Sequence, residues 1–234
     1  MRVSILPILL VCGVPLFAAP PDAKPDVEWA QRYYEKPQPE RFETEMRLAQ
    51  KWGYLSRPGG FYSTASFHTR LFAANPGKVV EWMKIVDSFP DEDRKPFLAA
   101  LRWADTPVTL ALLDGYAKSD GPLAEFCKTT RAEPPPDFKK LDHPTADELD
   151  GCWGSFFATG EPAYVLTVIR RAMAPKDGEP VDPVRFAARW SLRGLCEQQK
   201  RIMEIKDEFS ANATDAEKKV IDAIFAAKTL AELQ

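Results

Sequence analysis

The sequence predicts an all-α protein, and three observations carry that prediction. The stretch "PGKVVEWMKIVD", Pro76 to Asp87, places Val79, Trp82, Met83 and Val86 at i, i+3, i+4 and i+7, one face of a helix. Two capping boxes, Thr145-Ala-Asp-Glu148 and Thr214-Asp-Ala-Glu217, mark helix starts by pairing a threonine with a glutamate three residues on. No segment alternates apolar and polar residues with a period of two, so no sheet is expected. The expected arrangement is antiparallel helical hairpins stacked as a short solenoid-like array, with a compact helical bundle as the alternative.

In chain order, helices are expected at 26–35, 39–52, 60–74, 76–87, 91–104, 107–118, 121–129, 145–159, 162–173, 183–206 and 214–228. Several begin at a proline, where the missing N–H costs nothing and φ is already helical. Pro96 falls inside 91–104, so that helix either starts later or bends.

Three turns look alike: "FAANP" at Phe72–Pro76, "WADTP" at Trp103–Pro107 and "FATGEP" at Phe157–Pro162. Each ends a helix with an aromatic and an alanine and starts the next at proline. An aromatic can pack on the returning helix, and alanine lets the backbones approach. Phe72 to Trp103 is 31 residues, near the ~34 of a tetratricopeptide unit. The next interval is longer, and the insert "RAEPPPDFKKLDHP", Arg131 to Pro144, supplies much of the excess as an extended loop.

The helix–"FATGEP"–helix unit, together with "FAARWSL" at Phe186–Leu192, resembles an uncharacterised group of exported bacterial proteins that are helical in a tetratricopeptide-like way. The resemblance covers about Phe72 to Cys196. It implies an exported helical protein and brings no activity or catalytic residue. The Trp and Gly-Tyr signature of the tetratricopeptide repeat's first helix is not present.

Composition bounds the function. The 234 residues carry a formal net charge of −3, with 45% apolar and 28% charged residues, an ordinary globular balance. Neither nucleic acid nor an anionic membrane surface is expected as a partner. Residues 1–19 read as a signal peptide, with Arg2, the apolar run "VSILPILLVCGVPLF" and a cleavage site near Ala19, followed by a flexible lead-in at 20–26. The expected organisation is then one helical domain over 27–234, periplasmic or secreted, with no integral membrane segment after cleavage. A lipoprotein modified at Cys12 is disfavoured, because Val11 is larger than that site accepts.

The chemical candidates are few. Cys152 precedes Trp153, as the nucleophile does in papain-like proteases. Yet Leu149, Cys152, Trp153, Phe156 and Phe157 form one apolar helical stripe, and no histidine follows Cys152. Gly151, Gly154 and Ala158 make a smooth strip for another helix. His68, beside Phe67, is expected to be partly buried or on the surface. His143 adjoins Asp142 in the proline-rich loop. Asp91, Glu92 and Asp93 fit a helix N-terminus, as does "ADELD" at 146–150. Cys196 sits on the apolar face of 183–206, and a disulfide of Cys152 with Cys196 would require facing helices. With Cys127 they are the three cysteines of the mature chain. Basic groups at 169–172 and 197–208 suit a solvated face. No catalytic, cofactor-binding or metal-binding residue is assigned and no cofactor is expected.

The expected function is a protein- or peptide-binding interaction module, leaning away from an enzyme, whose partner is another envelope or secreted protein or peptide. The alternative is a cell-envelope hydrolase whose site is built from distant helices and the 131–144 loop. A structural component of an assembly is the third class.

Overall fold

A computed structural model describes residues 26–57, 59–174 and 182–233; the expected signal peptide and most of the lead-in lie outside them. Among the described residues there are twelve α-helices and no strand, so the protein is all-α. They are α1 (Val27–Gln31), α2 (Phe42–Lys51), α3 (Gly60–Ala74), α4 (Val79–Val86), α5 (Asp91–Ala104), α6 (Pro107–Lys118), α7 (Ala124–Ala132), α8 (Ala146–Thr159), α9 (Pro162–Met173), α10 (Pro183–Gln198), α11 (Lys200–Asn212) and α12 (Asp215–Ala226).

The starts follow local chemistry. Thr145 Oγ1 accepts from the Glu148 N–H, and the Glu148 carboxylate accepts from the Thr145 N–H; Thr214 and Glu217 repeat the arrangement. Pro107, Pro162 and Pro183 occupy first turns. Asp91, Glu92 and Asp93 form the first turn of α5, which starts at Asp91 with Pro96 inside it. Pro39 and Pro76 instead open short 3-10 turns, so the regular helices there begin three residues later than expected.

The expected helix at 183–206 is two helices. The chain breaks at Gln199, whose extended φ of −131° and ψ of 111° end α10 and start α11. No proline or glycine marks the break. It allows α11 to pack on both α9 and α10, which one straight helix could not do.

The central helix is α3, which packs most extensively against α8 and α5. Three of its four serines and threonines bond through their hydroxyls to its own backbone. Ser63, Ser66 and Thr69 donate to Gly60 O, Ser63 O and Ala65 O at 3.1, 3.2 and 2.8 Å. Mid-helix hydroxyls of this kind can be buried without an outside partner. The pairs α5–α6, α8–α9 and α9–α10 also pack against each other. This arrangement accommodates both a hairpin array and a bundle. The three similar turns differ in detail: Asp105 and Gly160 end their helices in the left-handed region, at φ 51° and 69°, whereas Asn75 is at −133°.

One continuous cluster of buried side chains runs from Trp29 to Leu233. Its aromatic centre is Phe42, stacked on Trp82 at 4.7 Å and near Phe72 and Phe97 at 6.3 and 6.2 Å. The α8 stripe of Leu149, Cys152, Trp153, Phe156 and Phe157 is wholly buried, as its periodicity requires. Burying each large member contributes about 1.5–3 kcal/mol.

Candidate functional site

The loop expected at 131–144 is slightly shorter at its start, because Arg131 and Ala132 finish α7; from Glu133 on it connects α7 to α8 and is pinned by its own residues. Phe138 is its anchor. Its ring is buried, 5.7 Å from Trp103 of α5 and 6.3 Å from Tyr62 of α3. The absence of a side chain at Gly151 makes room for it. A β-carbon there would stand 2.3 Å from Phe138 Cε1. Three hydrogen bonds hold the loop backbone: Arg102 Nε donates to Glu133 O at 3.1 Å, the Cys152 thiol to Phe138 O at 3.4 Å, and Thr167 Oγ1 to Lys139 O at 3.2 Å.

Between this loop and α3 lies a cleft of about 390 Å³. Ser66, Thr69 and Arg70 of α3 form one wall, Trp103 adds an aromatic edge, and Pro135 to Lys140 form the other wall. The cleft is cationic. Arg70 and Lys139 both approach the ring of buried Tyr164, at 5.6 and 5.3 Å from its centroid. Lys139 pairs with Glu161, and Lys140 pairs with Asp137 at 3.4 Å. Arg70 has no carboxylate partner among the described residues, and its buried Nε has no hydrogen-bond acceptor. The Glu161 hydrogen bond raises the Lys139 ammonium above its ordinary range, against burial and the Arg70 charge, so Lys139 stays protonated at neutral pH.

The Ser66 and Thr69 hydroxyl protons are committed to helix carbonyls, both residues are buried, and Ser66 Oγ lies against Gly154 of α8. No hydroxyl of this wall is hydrogen-bonded to a histidine or carboxylate, so none is activated as a nucleophile.

The residues singled out by sequence lie elsewhere. Cys152 contacts the loop from the core side, and burial, with Glu148 and Asp150, pushes its thiol up to about 12. Burial likewise pushes Cys127 to about 11 and Cys196 to about 12, and all three thiols are free, without a disulfide. His143 and Asp142 are exposed and do not line the cleft.

His68 is fully buried, contrary to the expected partial or surface exposure. Its ring lies 4.7 Å from Phe97 and 5.6 Å from Phe42, and its Nδ1 is 2.7 Å from Thr64 O. Burial lowers it to about 4, which leaves it neutral. The basic group at 169–172 is not uniformly solvated. Arg170 is exposed, but Arg171 is buried and reaches both Asp182 carboxylate oxygens at 2.7 Å, because the end of α9 meets the start of α10.

The glycine strip serves two partners. At Gly154 a β-carbon would stand 2.3 Å from Ser63 O, so α8 and α3 meet there as the small-residue spacing anticipated. Gly151 faces the loop instead. Among the described residues, no group of three or more His, Cys, Asp or Glu side chains could hold a metal ion, and no helix is long and apolar enough to cross a membrane.

No protein-family model matches this chain, and no curated protein or solved structure is significantly similar to it. The cleft therefore rests on its own geometry. Arg70 and Lys139 carry no motif that sequence reasoning could have used, and Trp103 was visible only as the aromatic of the "WADTP" turn. The available signal was the adjacent lysines of a long, proline-rich insert.

Proposed function

We propose that the protein is an exported, non-enzymatic binding module that seats an extended segment of another envelope or secreted protein between α3 and the 131–144 loop. The observation that carries this reading is the composition of the cleft walls. Trp103, Pro135 and Pro136 offer rigid apolar surface at low entropic cost, as peptide-recognition grooves do. Arg70, Lys139 and Lys140 supply charge-assisted donors. The hydrolase alternative has a loop over a cleft in its favour, but the wall offers no activated nucleophile and no histidine.

The test is a random peptide array probed with wild type, Trp103→Ala and Lys140→Glu. The last is a surface change at a side chain 82% exposed, so it leaves folding intact. The expected result is a set of peptides retained by wild type and weakened severalfold or more by both variants. Peptides bound equally by all three proteins, or no retained peptide, would overturn the reading.

A further inference from the structure

The cleft's charges do not balance. Three cations line it or reach into it, Arg70, Lys139 and Lys140, against two carboxylates, Asp137 and Glu161. Both carboxylates are engaged by the lysines, which leaves Arg70 over. An arginine Nε buried without an acceptor forfeits a hydrogen bond it would make in water. Placing two cations against one ring adds repulsion, which at Lys139 the Glu161 hydrogen bond outweighs, whereas Arg70 has no such partner among the described residues. Tyr164 supplies the compensation the fold itself provides: its ring face attracts both charges, and it is held in the buried face of α9. A guanidinium held over an aromatic ring at the wall of an open cleft is pre-organised for an external planar anion. Its remaining donors form a fork that matches carboxylate or phosphate oxygens.

We propose that the cleft contains an oxyanion subsite centred on Arg70, with Lys139 as the second cation, which takes a carboxylate or phosphate group of the seated ligand. This deepens the binding reading above and rests on it. The division of labour follows from the walls. The anionic group lies at Arg70 and Lys139, while the ligand's apolar part meets Trp103 and Pro135. The preferred occupant is thus an acidic segment of peptide, since among the described residues no carboxylate pairs with Arg70.

The subsite can be tested without knowing the natural ligand. In ¹⁵N-labelled full-length mature protein, the side-chain Nε–H signal of Arg70, assigned by its loss in Arg70→Lys, is followed during titration with glutarate, inorganic phosphate and neutral glutaramide. The expected result is a saturable shift with glutarate, phosphate or both, suppressed by added salt, and no shift with glutaramide. The anion that binds more tightly identifies the group. Followed through the backbone amide shifts of residues 66–70 and 137–140, binding should weaken at least about tenfold in Arg70→Gln and severalfold in Lys139→Gln. If Arg70→Gln loses its fold, Lys139→Gln and Lys140→Glu carry the comparison.

An Arg70 signal unmoved by both anions, or moved equally by glutaramide, would overturn the subsite. That failure is distinguishable from failure of the binding reading. Array peptides that need Trp103 but bind Arg70→Gln as well as wild type would contradict the subsite while keeping the cleft as a peptide site. An anion-responsive Arg70 in a protein that retains no peptide would keep the subsite and remove the peptide.

Discussion

Phe138 and Gly151 occupy one space: the ring fills the position a side chain at 151 would take, with Cε1 2.3 Å from where a β-carbon would stand. The contact locks the 131–144 loop to α8 and so fixes the outer wall of the cleft. Phe138→Ala should cost about 3–5 kcal/mol, and Gly151→Ala, which must displace the ring, about 1–3 kcal/mol. The double variant should cost clearly less than the sum, since alanine at 151 has room once the ring is gone. Urea unfolding of the four proteins measures this; strict additivity would show that the two residues do not share the site.

Gly154 tests the α3–α8 approach, where the obstacle is backbone and cannot rotate away. Gly154→Ala should destabilise by about 1–3 kcal/mol. Gly194, in α10, has nothing within 4 Å of a β-carbon. Gly194→Ala should therefore stabilise by roughly 0.5–1 kcal/mol through helix propensity. Thermal melts of the two variants should move in opposite directions.

Three buried groups shape the pH dependence, Asp150 and Glu45 in one sense and His68 in the other; burial raises Glu45 from 4.5 to about 8. Burial, with the Asp147 charge, raises Asp150 from 3.8 to about 7. Its stabilising contribution is complete below pH 3.8, declines as pH rises and is gone above about 7. His68 falls from 6.5 to about 4, so its contribution is present above pH 6.5 and lost as pH falls to about 4. Asp150→Asn should make the decline on the neutral side smaller, leaving the share that belongs to Glu45. His68→Leu should leave the decline alone. Chemical denaturation at a series of pH values separates the two, and unchanged profiles would contradict both assignments.

The Arg171–Asp182 pair joins the end of α9 to the start of α10 with both side chains buried. Burial by itself would raise the Asp182 carboxyl. The Arg185 N–H and the Arg171 guanidinium outweigh it and hold the group below its ordinary value. Arg171→Ala leaves that charge buried without its cation and should cost about 3–5 kcal/mol. Neighbouring Arg170 is exposed, and Arg170→Ala should change stability by no more than about 0.5 kcal/mol. Equal effects in an unfolding assay would argue against the buried pair.

Much of the fold was legible wherever local chemistry decides. The Thr145 and Thr214 capping boxes, the prolines at 107, 162 and 183, and the α8 stripe each specify themselves within a few residues. The break at Gln199 was not legible, because nothing local requires it; packing of α11 on α9 and α10 does. His68 was misjudged for the same reason, since its burial is imposed by Phe42 and Phe97 from other helices. The cleft is the extreme case. Arg70, Trp103, Lys139 and Tyr164 come from three helices and a loop, and only tertiary packing brings two cations to one ring. The insert at 131–144 was visible as a loop, but its anchoring through Phe138 depends on Gly151, which the helical spacing alone assigned to a neighbouring helix.

The most direct measurement of the binding account is amide chemical-shift mapping of the mature protein with the tightest array peptide. The account predicts shifts concentrated at 66–70, 103 and 135–140 and absent from Lys140→Glu at the same peptide concentration. Shifts concentrated instead in the depression between α9, α11 and α12, around Leu166, Ile205 and Phe209, would contradict it.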